Sequence, residues 1–230
     1  MTKQSSNPNN DHYLHVDFHC HTIFSPDSLV TPERLIATCR AKSLDRVTVT
    51  DHNTIQGAVF AKTIAPEMII VGEEIMTTKG ELLAFFVQEE IPSGLDPTQV
   101  IQLLRAQEAF ISVSHPFDKF RKGHWNTEDL LKILPDIDAI ETFNARCIFP
   151  SANWKAVKFA KEHGLPGTYG SDAHSTIELG HGSLFLPPFS DRISLKQSLS
   201  LAYSPRLILS PPWVHLFSRY ASWRKRRGIS

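Results

Sequence analysis

His19 and His21 stand two residues apart in the run Asp17-Phe18-His19-Cys20-His21. On an extended strand that spacing puts both imidazoles on one face, with Asp17 beside them, while Val16, Phe18 and Cys20 point the other way. Two neutral imidazoles on a stiff backbone form a chelating pair for a divalent ion. Taken alone, the pair fits a metal site and a buried polar pair equally well. The rest of the chain favours metal. Asp27 follows in HTIFSPDS, His52 in TVTDHNT, Glu73 and Glu74 in VGEEI, His115 in ISVSHPF, Glu141 in AIETFN, and Asp172 and His174 in YGSDAH. Histidine with carboxylate and no thiolate suits Zn, Mn or Fe. There are more candidate ligands than one ion needs, so two or three ions bridged by a carboxylate such as Glu73 fit the count. Ions about 3.5–4 Å apart clamp the attacking and leaving oxygens of a displacement at phosphorus and lower the pKa of a shared water. Such chemistry needs no serine or cysteine nucleophile, and none stands out. Cys20 reads as a core residue.

The elements that must position these groups alternate. Short apolar bursts at Val16–Cys20, Val47–Thr50, Met68–Val71, Leu82–Val87, Ile111–Val113, Ile137–Ile140 and Leu165–Tyr169 read as strands. Between many of them lie helix starts: Thr31-Pro32-Glu33, Asp96-Pro97, Thr127-Glu128-Asp129 and Ser151, the last helix stopping at Gly164. Strands alternating with helices predict βαβ units and a mainly parallel sheet, either a nearly closed barrel of about seven units or a doubly wound open sheet. Six of the predicted strands carry His or an acid at or just past their C-terminal ends, the face where parallel α/β barrels place catalytic groups.

These segments (DFHCHTIFSPDS, VTDHNT, VGEEI, SHPFD and GSDAH) resemble, in order, those of the PHP family, the polymerase and histidinol phosphatase type of metallohydrolase. The resemblance runs from Asp17 to His174. It implies a single-domain α/β fold, a distorted (β/α)7 barrel, with a trinuclear centre of divalent metals and phosphoester hydrolysis through a metal-bridged hydroxide. Position by position it implies His19, His21, Glu73 and Asp172 on a first metal. Glu73 would bridge to a second metal with His115, and Asp27, His52 and His174 would hold a third. One segment departs from the pattern: TTKGELLAFF has Glu81 where many relatives have His, which shifts the second site toward harder ions such as Mn. Asp51 and Asp17 are expected to orient metal-bound imidazoles. Glu141 and Asn144 are expected to line the pocket, and Arg146, Lys119 and Arg121 to grip a substrate phosphate, with His124 beside them in the same loop.

Composition bounds the remaining choices. The 230 residues carry 24 basic and 24 acidic side chains, a balance that argues against coating nucleic acid through net charge. Three cysteines without a CxxC pair argue against a secreted disulfide framework. The polar opening MTKQSSNPNNDHY does not read as a signal peptide, and no apolar run approaches the roughly 20 residues of a membrane span. These features point to a cytoplasmic protein. Residues 1–12 read as a disordered tail, 13–210 as the catalytic domain, and 211–230 as an aromatic and basic helix or tail that packs on the barrel or contacts a membrane surface or nucleic acid. The leading expectation is hydrolysis of a small phosphomonoester or nucleotide phosphate. The alternatives are a nuclease on short nucleic acid and a non-catalytic metal-binding module. A C–N hydrolase is weakened because no lysine sits at a suitable strand end to bridge two metals.

Overall fold

In the computed structural model, residues 13–228 are described; the tail read at residues 1–12 lies outside them. Eight strands form one sheet in the order β7-β6-β5-β4-β3-β2-β1-β8. They are β1 (Leu14–Cys20), β2 (Arg46–Val49), β3 (Ile69–Met76), β4 (Glu81–Phe85), β5 (Phe110–Val113), β6 (Ala139–Asn144), β7 (Gly167–Gly170) and β8 (Leu184–Leu186). The helices are α1 (Pro32–Ala41), α2 (Gln56–Ile64), α3 (Pro97–Ala106), α4 (Thr127–Ile133), α5 (Pro150–Glu162), α6 (Arg192–Leu199) and α7 (His215–Arg226). The sheet curls until the end of β1 meets the segment after β7. Asp172 N–H donates to the His19 carbonyl at 2.7 Å, and His21 N–H to the Ala173 carbonyl at 2.9 Å. The result is a single α/β domain built on a nearly closed, distorted barrel.

Local sequence explains the helices. Helix α3 buries Pro97, Val100, Ile101 and Leu104, the one-face spacing of an amphipathic helix. It opens on a capping box between Asp96 and Gln99, a device of about 1 kcal/mol. Thr31 caps α1 through Arg34 N–H, with Pro32 at the first turn. Helix α4 begins at Thr127 as expected, capped by Asn126, whose side chain accepts from Glu128 N–H at 2.9 Å. One start differs from expectation: Ser151 makes no cap, since Pro150 already begins α5. Gly164 ends that helix with φ +66°, a left-handed conformation that glycine adopts without strain.

The sheet is less regular than strict βαβ alternation. Strand β3 continues to Met76 and turns back at Thr77–Gly80 into β4, which runs antiparallel to both β3 and β5. Thr77 holds the turn, its N–H and hydroxyl both donating to the Gly80 carbonyl, at 3.0 and 2.6 Å. Charged Glu73-Glu74 interrupt the apolar pattern and hide this extension. Strand β8, unpredicted, lies antiparallel on β1. Phe18 and Cys20 point into core clusters as expected, and all three cysteines are free and buried. Among the described residues no helix is long and apolar enough to cross a membrane.

Candidate metal centre

Closure of the barrel decides which strand ends meet. His19 and His21, at the end of β1, face Asp172 and His174 across the seam just described. Glu74 arrives from β3, Glu81 from β4, and His115 from the end of β5. His52 follows β2, its backbone bridging to Glu74. Asp27 comes from the loop after β1. His115 and Asp172 hold left-handed backbones, φ 21° and 51°. Such conformations cost roughly 1–3 kcal/mol each and persist where the surroundings enforce them. Here His115 N–H is fixed by Glu141 Oε2 at 2.8 Å and Asp172 N–H by the His19 carbonyl.

Four donor atoms converge at one point. His19 Nε2 and His21 Nε2 are 3.1 Å apart. Glu74 Oε2 is 3.3 Å from each of them. Asp172 Oδ1 is 3.6 Å from His19 Nε2 and 3.3 Å from His21 Nε2. A tetrahedral ion with bonds of about 2.0–2.1 Å requires donor separations of about 3.3–3.4 Å. The cradle therefore has the right size and donor chemistry for a transition-metal ion. Beside it, Glu74 Oε1 lies 3.1 Å from His115 Nε2, which is 3.5 Å from Glu81 Oε2. On the other flank Asp27 Oδ2 lies 3.0 Å from His174 Nε2, and Asp27 Oδ1 3.7 Å from His52 Nε2. Asp27 Oδ1 is buried and has no partner nearer than His52 Nε2, which leaves it a lone pair for a cation.

The structure corrects one expected ligand. Glu73 is not in the cluster; Glu74 is. Adjacent residues of a strand point to opposite sides. Glu73 points away, and its Oε2 accepts from Ile91 N–H at 3.0 Å. Burial pushes its carboxyl up to about 8. Glu74 turns both oxygens inward and also accepts from the Ser114 hydroxyl at 2.6 Å. Residues on both sides of this strand are buried, so no polar alternation in the sequence reveals which carboxylate faces the site.

The imidazoles are held from behind so that Nε2 faces the cluster, the arrangement that fixes a ligating histidine. His19 Nδ1 lies 2.8 Å from Glu141 Oε1. His21 Nδ1 lies 3.0 Å from the Ser25 hydroxyl, which donates to Asp51 at 2.7 Å. His174 Nδ1 lies 2.8 Å from the Asp172 carbonyl. Gly170 makes room for this packing: a Cβ there would sit 2.3 Å from the His19 Cβ. Asp51 thus acts through Ser25 rather than on His52. Asp17 holds backbone, accepting from Ser171 N–H and Gly180 N–H.

Electrostatics match a cation site. Burial alone would lower the His19 imidazole, but the carboxylates of Glu74, Glu141 and Asp172 outweigh it and hold the group well above its usual range. His52 and His115 are raised likewise, against burial, chiefly by Glu74. Burial would raise Glu74 and Asp172, yet both are held well below the usual carboxylate range, Glu74 by His19 and His52 and Asp172 by Arg121 and His19. Burial pushes Glu81 up, with Glu74 adding to it. Burial and Arg146 together push His174 down to about 3. Without ions, the cluster attracts protons where cations would sit.

The expected substrate-binding residues sort differently. Glu141 and Asn144 are buried behind the ligands: Glu141 holds His19, and the Asn144 amide donates to Glu141 and Asp172 at 3.1 and 3.2 Å. Arg146 is buried and does not line the open cavity above the centre. Its guanidinium lies 3.1 Å from Glu178, donates to the Ser218 hydroxyl at 2.6 Å, and rests against His174 Nδ1. The signal missed in sequence was Glu178, the buried acid that claims this arginine. Arg121 does reach the centre, pairing with the Asp172 carboxylate, and lines the open cavity above it. That cavity, about 700 Å³, is also walled by Asp27, His52, Glu81, Lys122 and Arg226. Lys119 is exposed and does not line it, and His124 is exposed with Nδ1 2.7 Å from the Arg121 carbonyl.

The family model described as PHP domain matches residues 17–132, about half of the chain, and the one described as PHP-associated matches residues 150–190. The chain belongs to the PHP family. An uncharacterised protein of Methanocaldococcus jannaschii is 32% identical over 195 residues, covering 82% of this chain and 78% of its own. Among solved structures, one from Bifidobacterium adolescentis described as a metal-dependent phosphoesterase superposes with a TM-score of 0.60 at 17% identity, covering 83% of this chain and 97% of that one. A lesion-specific endonuclease of Pyrococcus furiosus superposes with a TM-score of 0.56 at 14% identity, over 85% of this chain and 57% of that one. At these identities the structures show a shared fold. Family and site together make this PHP protein a metal-dependent hydrolase.

Proposed function

We propose that this PHP protein is a phosphoesterase acting on a small phosphomonoester or a nucleotide phosphate, with three divalent ions. His19, His21, Glu74 and Asp172 would hold the first; Glu74, Glu81 and His115 the second; Asp27, His52 and His174 the third. The observation that carries this reading is the inward-facing Glu74 carboxylate, whose two oxygens address two adjacent donor sets and so would set two ions side by side. Such ions supply Lewis acidity toward both oxygens of an in-line displacement and lower the pKa of water they coordinate. The description of the Bifidobacterium neighbour as a phosphoesterase supports phosphorus as the reacting centre.

The remaining work falls to the chain's own residues. Glu141, Ser25 and the Asp172 carbonyl fix the imidazoles. Asn144 keeps Glu141 and Asp172 in register. Arg121, at the cavity wall, offers a planar fork to a phosphate oxygen. The buried thiols take no part, because burial raises Cys20 well above its usual range and holds it protonated. A non-catalytic module is disfavoured because the three donor sets are complete. The test is metal analysis of purified protein, then phosphate release from phosphorylated metabolites with added Mn. Activity should vanish on chelation and in His19→Ala, where near-normal turnover in either case would remove the reading.

A further inference from the structure

Helix α7 presents two faces. Val214, Ser218, Ala221 and Lys225 fall on one helical stripe, and that stripe is seated on the barrel. Val214 and Ala221 are buried. The Ser218 hydroxyl accepts from Arg146, and Lys225 Nζ donates to the carbonyls of Ile23 and Ser25, in the loop that carries Asp27. Trp213, in the 3-10 turn Pro212–Val214 ahead of the helix, begins a second stripe with Leu216, Phe217, Tyr220 and Trp223. These five side chains turn outward and are 41–61% exposed. Ile177, also exposed, continues the stripe across an apolar cleft of about 320 Å³ that it shares with Phe217 and Tyr220. Scattered exposed apolar residues are ordinary, but a contiguous set of this size marks a contact surface.

Charge identifies what covers this face. Residues 197–230 contain Arg206, Arg219, Arg224, Lys225, Arg226 and Arg227 and no Asp or Glu, although the chain as a whole is balanced. The helix dipole accounts for cations in the last turn of α7, but not for Arg206 or Arg219. The partner must therefore be anionic as well as apolar. A second copy meeting α7 against α7 would set these cations against themselves. A nucleic-acid strand needs open ring faces on which to stack its bases. Here the rings are engaged with one another. Tyr220 stacks on Trp223 at 5.9 Å, Arg227 lies over the Trp223 ring at 4.9 Å, and Trp213 meets Phe217 edge-on at 5.6 Å. An anionic bilayer interface offers an apolar layer to Leu216 and the rings, and headgroup phosphates to the arginines. We infer that α7 docks this protein on the surface of an anionic lipid bilayer, with its outer stripe in the interface and its arginines among the headgroups. At 12 residues the helix is about 18 Å long, so it lies along the surface. Ser222, Lys225 and Arg226 also wall the cavity above the metal centre. Docking therefore holds that opening within about one helix width, 10–12 Å, of the membrane. The inference does not depend on the phosphoesterase reading.

The test is flotation of the purified full chain with phosphatidylcholine vesicles made with and without phosphatidylglycerol. The anionic vesicles should bind at least about tenfold more protein, and the difference should shrink in high salt. R219Q/R227Q should weaken that binding by roughly 10–30-fold. L216E/Y220E, at two exposed positions, should abolish it with an unchanged unfolding midpoint. Acyl chains carrying bromine should quench tryptophan emission, an effect lost in W213F/W223F and kept in W154F. That readout separates insertion of the stripe from adsorption by charge. Absence of vesicle binding, equal binding to both vesicles, or quenching that survives W213F/W223F overturns the inference. So does capture of a thymidine oligonucleotide, or self-association in sedimentation, that L216E/Y220E abolishes while vesicles are not bound; the face then belongs to a nucleic acid or to a second copy. No arm reads phosphate release, so failure here leaves the phosphoesterase reading intact.

Discussion

Exchanging Glu73 and Glu74 for glutamine, one at a time, separates two carboxylates that stand side by side in the sequence. Glu73→Gln keeps an oxygen to accept from Ile91 N–H and removes only the ionisable group. In the folded chain that carboxyl is pushed by burial from 4.5 to about 8. The folded state therefore keeps a proton that the unfolded state gives up between those values. Because the folded value is raised, the stabilisation is present in full below pH 4.5 and is lost as pH rises through 8. Between pH 5 and pH 8 the wild type should lose roughly 3–4 kcal/mol of stability that Glu73→Gln does not lose. Urea unfolding of the metal-free proteins at pH 5, 6.5 and 8 gives the difference directly, since the histidine cluster titrates equally in both. Metal content is the second assay. Glu73→Gln should bind ions as the wild type does, whereas Glu74→Gln should lose the first and second ions together. Parallel pH–stability curves, or metal loss in Glu73→Gln with retention in Glu74→Gln, would refute the assignment of the inward carboxylate.

Other consequences can be checked separately. Metal loading near pH 7 should release protons, because His19, His52 and His115 are raised by surrounding carboxylates and must deprotonate to ligate; calorimetry in buffers of different ionisation enthalpy counts them, and the count should fall as pH rises. Glu141→Gln should weaken metal binding by about 10–100-fold, the usual cost of losing the partner behind a ligating imidazole, with little change in unfolding midpoint; undiminished affinity would show that His19 does not need that partner. Gly123→Ala should displace Glu81, because its Cβ would fall 1.9 Å from Glu81 Oε2, and competition with a chromogenic chelator should show one ion weakened and the others retained. Gly170→Ala should cost roughly 1–3 kcal/mol by overpacking against His19, read from thermal unfolding.

Much of this was legible in one dimension. The spacing of His19 and His21 on a strand, the delivery of His or acid at successive strand ends, and the proline-led helix starts are local properties. Periodicity and capping chemistry fix them before any packing occurs. They place the ligand types, a mainly parallel α/β barrel and the family. What the chain order does not contain is facing. Both sides of β3 are buried, so only the closed barrel tells Glu74 from Glu73. In the sequence Glu141 and Asn144 look like pocket residues because they end a strand, and Arg146 because its fork suits phosphate. Packing buries them, since Glu178 claims the arginine and His19 claims Glu141. The basic helix at the far end of the sequence becomes a wall of the site only because Lys225 and Ser218 seat it there. Strand ends and spacing bring these chemical groups to the mouth of the barrel, and only the folded packing selects which of them turn inward. A side chain's direction depends on partners far away along the chain.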